Sequence, residues 1–527
     1  MMRNDNFGET VPPKTDARFS RILSYVIPFL VFVVAIAGTV SSEKLTQSQK
    51  FNNSDAADFV SIVERLHVLP NGRVLLNGRK LKLHQLQRIL PAVLVHYGLG
   101  LFGGALTLRN IEWGFQALQI GLLTLAGSIW CSQCLRLKIS WRGMVIGAIA
   151  LFSGYALTKF FWYYPILTDI PPLFLGMVML YGYMLDKRPF VFGAMVLGSF
   201  TWPTLLYQGI IFLIFPRDPK RTFLIHSPLR PRTQLLLALA ALVPIFLALQ
   251  WLLMNIPSNY RFHPFAPLLP YSILVTLGFW AGGVVILFNN ASLFRIRDWL
   301  QATWWRGAAL CLVAVILLSV VQNYVAGPRL EFNRTQALWR NVLISSIMVP
   351  GTFYVQHILF YGPIMLLAVI FWKPITTIAR QFGRGFVLNL LFGMVFAIGS
   401  ESRILMAFIP MLALLVAKLA EQLKWRFWAI ASISICALIL MRSWLTLNGT
   451  PNLVVFLNQF PELSPFLQRF NWNSDPNEMF LLGFGPWVGI NLYALELPVA
   501  LGTLLFLYVA LRHAPNTEGR AVSENSK

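Results

Sequence analysis

Apolar runs recur along the chain from residue 22 to residue 511, separated by short polar segments. Many approach the ~20 residues that an α-helix needs to cross a hydrocarbon layer of ~30 Å. Crossings are predicted near 22–40, 114–135, 144–161, 170–185, 234–254, 271–289, 307–324, 355–372, 386–399, 404–420, 427–446 and 490–511. The expectation is an all-α polytopic membrane protein of about twelve spans. Two stretches break the rhythm. Ile89–Leu108 is glycine-rich, and Phe190–Phe215 is cut by Pro203 into halves too short to cross singly. The second is predicted to be a re-entrant half-helix hairpin, whose broken backbone other helices must bury.

Composition agrees: 56% of residues are hydrophobic and 12% charged, with a mean hydropathy of +0.62. The net charge of +22 invites a nucleic-acid reading, but its distribution argues against one. Arg136, Lys138 and Arg142 cluster between apolar runs, as do Lys187 with Arg188, and Arg217 with Lys220, Arg221, Arg230 and Arg232. Arg295, Arg297 and Arg306 follow, then Lys373, Arg380 and Arg384. The positive-inside rule assigns all of these to the cytoplasm, together with Arg18, Arg21 and both termini. An even number of crossings must then separate the N-terminus from loop 136–142. That leaves 89–108 as an interfacial helix on the outer face.

The division expected is a cytoplasmic tail 1–21, a transmembrane region 22–420, C-terminal helices over 421–511 with an outside loop 448–485, and a cytoplasmic tail 512–527. Ala35-Ile36-Ala37-Gly38 resembles a signal-peptide cleavage site, yet the long apolar run before it reads as a retained anchor. Cys131 and Cys134 have no nearby His in sequence and read as small buried side chains, so no metal ligands are assigned. The chain shows no internal repeat.

With only 21 acidic residues in 527, carboxylates in outside loops are informative. The first such loop holds Asp55 and Asp58, then Glu64, His67 and Arg88; the second holds Lys159, Trp162-Tyr163-Tyr164 and Asp169; the last holds Glu401 and Arg403. A carboxylate can take the proton of an attacking hydroxyl, and sugar transfer passes through an oxocarbenium-like state. A departing phosphate needs cations, which Arg supplies through paired hydrogen bonds or a divalent metal ion supplies instead. Asp55 and Asp169 are therefore the catalytic candidates in loops 41–113 and 162–169. Asp58, Arg88, Lys159, Glu401 and Arg403 are the candidates for substrate binding. Plainer roles exist for each: Asp55 and Asp169 can cap helices, and the aromatics at 162–164 suit an interfacial belt.

The ordered series resembles the GT-C superfamily of integral-membrane glycosyltransferases, of mannosyltransferase or aminoarabinose-transferase type. It comprises Asp55-Ala56-Ala57-Asp58-Phe59, Arg88-Ile89-Leu90-Pro91, Pro165-Ile166-Leu167-Thr168-Asp169, Gly193–Gly198 and Glu401-Ser402-Arg403-Ile404-Leu405. Trp202 stands where many relatives carry Lys or Arg. The resemblance implies a polyprenyl-phosphate-linked sugar donor, a glycan, lipid or protein acceptor, inversion at the sugar, and a bacterial inner membrane. Membrane lipids are partners and nucleic acid is not. Two other classes stay open. A transporter or flippase for lipid-linked substrates is suggested by Glu496 within the last span, because charges there mark substrate pathways. An O-antigen-type polymerase would use the Arg-rich loop 326–357. Lys418 and Arg442 are expected to snorkel, and His357 to be a polar interface residue.

Overall fold

The computed structural model of the protein describes residues 14–41, 55–68, 74–76, 79–81, 83–163, 165–166, 169–217, 228–254, 266–325, 350–399, 401–442 and 490–512. The first helices are α1 (Lys14–Ser41), α2 (Asp55–Arg65), α3 (Ile89–Leu101), α4 (Leu108–Arg136) and α5 (Trp141–Phe152). Next come α6 (Ile170–Met184), α7 (Arg188–Gly198), α8 (Thr204–Ile214), α9 (Pro231–Met254), α10 (Leu269–Leu287) and α11 (Trp305–Val325). The remainder are α12 (Thr352–Tyr361), α13 (Pro363–Ile370), α14 (Trp372–Gln381), α15 (Arg384–Ala397), α16 (Ile409–Gln422), α17 (Phe427–Leu440) and α18 (Ile490–Arg512).

The all-α expectation needs one correction. Loop one folds Leu66–Val68 (β1), Val74–Leu76 (β2) and Arg79–Lys80 (β3) into a small antiparallel sheet in the order β1-β2-β3. The signal was present: Asn71-Gly72 and Asn77-Gly78 separate these strands in the sequence, and Asn-Gly is the dipeptide that hairpin turns favour.

This is a helical membrane protein, but about twelve full-length spans are not found among the described residues. Six described helices are long and apolar enough to cross, namely Arg18–Ser41, Leu108–Arg136, Pro231–Ala248, Leu269–Leu287, Trp305–Val325 and Tyr493–Arg512. The pair α13 and α14, bent by 91°, raises this to seven if counted as one. The other predicted crossings fall on shorter helices or are interrupted. The apolar run 144–161 stops as α5 at Phe152 and resumes as a π-helical turn, Ala156–Phe160. The run 355–372 breaks at Gly362, whose φ of +68° suits glycine.

Burial explains the difference. The long helices α9 and α11 leave Leu235, Leu236, Leu312 and Val313 exposed, as lipid-facing helices should. The short helices α6 and α16 are buried along nearly their whole length. A helix enclosed by protein need not match the bilayer, because its neighbours satisfy its ends and exclude lipid. Helix α3 fits neither group: Leu94, Tyr97 and Leu101 on it are exposed while Pro91, Ala92 and Val95 are buried. The segment 190–215 divides at Pro203 into α7 and α8, as the sequence suggests. They meet where glycine removes a side chain, since a Cβ on Gly198 would lie 2.5 Å from Leu205 Cβ, and one on Gly209 2.5 Å from Met195 Cβ.

Described residues of several basic clusters gather at one end of the bundle. Arg217 donates to Met184 O at the end of α6, Arg188 lies 4.2 Å over the Trp304 ring, and Trp304 N donates to Ile214 O. Arg380 donates to Ile286 O and Leu287 O, where the carbonyl end of α10 favours a cation. Arg384 completes the group, 3.6 Å from Asp298. Helix α6 runs from this end to the candidate site, about 22 Å away at 1.5 Å per residue.

Gly176 sets α6 against the turn that leads into α16, where an added Cβ would sit 2.5 Å from Ala407 O. That oxygen is backbone and cannot move aside. Gly176→Ala is expected to destabilise the protein by about 1–3 kcal/mol through overpacking, read as a lower melting temperature in detergent. Gly193→Ala, with nothing within 4 Å of the new carbon, should stay near the parent.

Candidate functional site

Asp169 opens α6, ahead of Ile170-Pro171-Pro172, whose prolines suit the first helical turn. The loop before it is tied down by Gln119 of α4, which donates to Pro165 O. Capping does not account for Asp169, because its side chain makes no capping bond. Its carboxylate is instead 3.6 Å from Arg403 Nη1 while only 2% exposed. Arg403 lies in the short 3-10 turn Ser402–Leu405 that leads into α16. Its other terminal nitrogen donates to Glu401 Oε1 at 2.8 Å. One guanidinium thus bridges two carboxylates of unlike setting, Asp169 enclosed and Glu401 40% exposed. The positive end of α6 further favours a charged Asp169.

A second set of polar groups adjoins the first. Tyr361 donates to Ser402 O, and His357 Nδ1 lies 2.9 Å from Ser402 Oγ. The other ring nitrogen, Nε2, is 3.0 Å from Ala397 O. A carbonyl only accepts, so Nε2 carries the ring proton and Nδ1 accepts from the serine. The α12–α13 junction that carries Tyr361 is seated against Gly154, where a Cβ would lie 2.7 Å from Tyr361 O.

Three of the residues singled out from sequence, Asp169, Glu401 and Arg403, are therefore brought together from distant loops. Lys159 is not with them, and its Nζ donates to Arg442 O at 3.4 Å. Arg88 stands at the start of α3 with its guanidinium 4.3 Å over the Trp202 ring, at the tip of the α7–α8 hairpin. The tip is fixed to α3 by Leu90 N donating to Phe200 O. Asp55 is the first residue of α2 and Asp58 stands in its first turn. The side chains of Asp55 and Asp58 lie outside the described ones, as do Thr168 and loop 448–485.

Sequence reasoning missed the partnership of Arg442. It does not snorkel: it is fully buried, with Nη2 2.8 Å from the equally buried Glu496 Oε1. Gln356 Nε2 donates to the second carboxylate oxygen at 2.7 Å. The Tyr155 ring lies 5.2 Å from the guanidinium. The signal available was that both are ionisable groups in the two C-terminal apolar runs, where such charges pair. Gln356 and His357 are consecutive on α12, so that helix joins the two polar clusters. The aromatic-belt reading also fails for Trp162, which is fully buried and donates to Leu157 O. A Cβ on Gly38 of α1 would strike its indole at 2.5 Å.

Among the described residues, no group of three His, Cys, Asp or Glu side chains is placed to hold a metal ion. Cys131, Cys134, Cys311 and Cys436 are buried free thiols. The chemistry the site offers is that of a carboxylate–guanidinium pair beside a neutral serine–histidine hydrogen bond.

Removing one member of a buried pair strands the other. Arg403→Gln alone is expected to destabilise by about 3–5 kcal/mol. The double variant Asp169→Asn/Arg403→Gln should lose less than the sum of the singles, by about 0.5–3 kcal/mol, measured by unfolding in detergent. The same logic makes Glu496→Leu alone severely destabilising and Arg442→Met/Glu496→Leu much milder. No protein-family model matches the chain, and no curated protein or solved structure matches it either.

Proposed function

We propose that this protein is a GT-C-like glycosyltransferase, moving a sugar from a polyprenyl-phosphate donor to an acceptor at the outer face of a bacterial inner membrane. The observation that carries the reading is the Asp169–Arg403–Glu401 bridge. Asp169 is the general base: it takes the proton of the acceptor hydroxyl as that oxygen bonds to the anomeric carbon. The bond from that carbon to the phosphate oxygen breaks, and the lipid phosphate leaves with both electrons. Arg403 is the cation for that phosphate, exchanging the exposed Glu401 for it, because guanidinium binds carboxylate and phosphate with the same paired geometry. Asp55 and Asp58 on α2, and Arg88 on Trp202, belong to the wall of the same site in this proposal. In a GT-C-like arrangement the short buried helices count as further crossings, with both termini cytoplasmic.

The transporter alternative drew on Glu496, and its pairing with Arg442 and Gln356 gives that carboxylate a structural occupation. The experiment is sugar transfer by purified protein from a panel of polyprenyl-phosphate sugars. Asp169→Asn should lower turnover by about 10²–10⁴, the usual worth of a positioned base. Arg403→Lys should raise the KM for the donor more than it lowers turnover. Parent-like rates in Asp169→Asn would remove it as base, and Asp55→Asn tests the other carboxylate in the same assay.

A further inference from the structure

A cavity of about 370 Å³ lies between α10, the α12–α13 corner, α15 and α16. Its walls are apolar, with Phe353, Met365, Met394 and Phe408 among them. His357 and Tyr354 are the ionisable side chains that line it, and no Lys, Arg, Asp or Glu does. Two of its lining residues, Gly278 and Gly282, stand one turn apart on α10, with nothing within 4 Å of a Cβ built on either. The space there exists because the side chains are missing. Both glycines are exposed, as is Val369 across the opening. The mouth therefore lies along a helix long and apolar enough to cross the membrane, next to the exposed Leu274 and Val275. What enters by that route comes from the bilayer.

We propose that this cavity seats the hydrocarbon chain of a membrane lipid whose uncharged hydroxyl end reaches His357 and Ser402. Taken with the glycosyltransferase reading, on which this part rests, that lipid is the acceptor. The choice of acceptor over donor follows from charge. A phosphate head would need a cation at the polar end of the cavity, and the lining supplies none. His357 and Ser402 offer a neutral hydrogen bond into which a hydroxyl can insert. Ser402 is next to Arg403, so the same turn carries the acceptor end and the Asp169 bridge. The volume and the apolar walls with one polar end match those of sites for ligands of this size.

The test uses full-length protein in nanodiscs and a long-chain primary alcohol bearing a photoreactive diazirine in its chain. Cross-links should map to α10, α15 and α16 at the lining residues. They should fall at least tenfold in Gly282→Leu, which fills the cavity, and persist in Gly502→Leu, a lipid-facing glycine with equal room. Cross-links spread over outward residues such as Leu274 and Leu312, unchanged in Gly282→Leu, would overturn the proposal. In the same preparation, sugar transfer to the long-chain alcohol should fall with the cross-link. Transfer to the long-chain alcohol that is unchanged in Gly282→Leu would overturn the acceptor assignment and leave glycosyl transfer standing. Cavity labelling without transfer from any donor would uphold the lipid site and sink the glycosyltransferase reading.

Discussion

The enclosure of short helices by long ones is the constraint on which this fold depends. In hydrocarbon every backbone N–H and C=O must find a partner within the protein. Helices such as α6 and α16 are shorter than a full crossing and are buried along nearly their whole length, so their ends are met by protein rather than lipid. The apolar faces of α9, α10 and α11 supply the wall toward lipid. Close approach inside it is achieved with glycine, at Gly154 against Tyr361, Gly176 against Ala407 and Gly209 against Met195. These contacts fix the level at which each short helix starts. They therefore decide which loop residues share a depth.

Charge follows the same logic. At the basic end, arginines take up carbonyls left open at helix C-termini, as Arg217 does at Met184 and Arg380 at Leu287. At the other end, buried charges come in pairs. Arg403 answers Asp169, and Arg442 answers Glu496, each drawing partners from separate elements. An unpaired charge in either position would carry a desolvation penalty of several kcal/mol. The pairs differ in access. The Arg442–Glu496 pair is sealed, whereas the Arg403 bridge reaches an exposed carboxylate. That difference separates a structural pair from one placed to meet a ligand.

Much of the candidate site could be read from the chain, but only as a set of separate residues. Asp169, Glu401 and Arg403 drew notice because carboxylates are rare here and these stand at the ends of apolar runs. Nothing in their spacing said that Arg403 would bridge the other two. Lys159, judged by the same rule, turned toward Arg442 instead. Lys159 stands in the π-helical turn Ala156–Phe160, and hydropathy does not register such a turn. His357 is the polar interface residue the sequence suggests, but its partner Ser402 is an ordinary residue until folding sets it 2.9 Å away.

Sequence by itself determined that this chain lives in a membrane, where its basic segments gather, and that the run 190–215 breaks at Pro203. Those properties are local: apolar content, charge position and proline chemistry act within a few residues. Tertiary structure decided how many helices are long enough to cross, because an apolar run can stop early wherever neighbours take over from lipid. It also decided that Asp169 meets Arg403, that Glu496 meets Arg442, and that an apolar cavity ends at His357. Such meetings depend on helix–helix distances set by individual glycines. A one-dimensional pattern names the glycines but not the atoms they face.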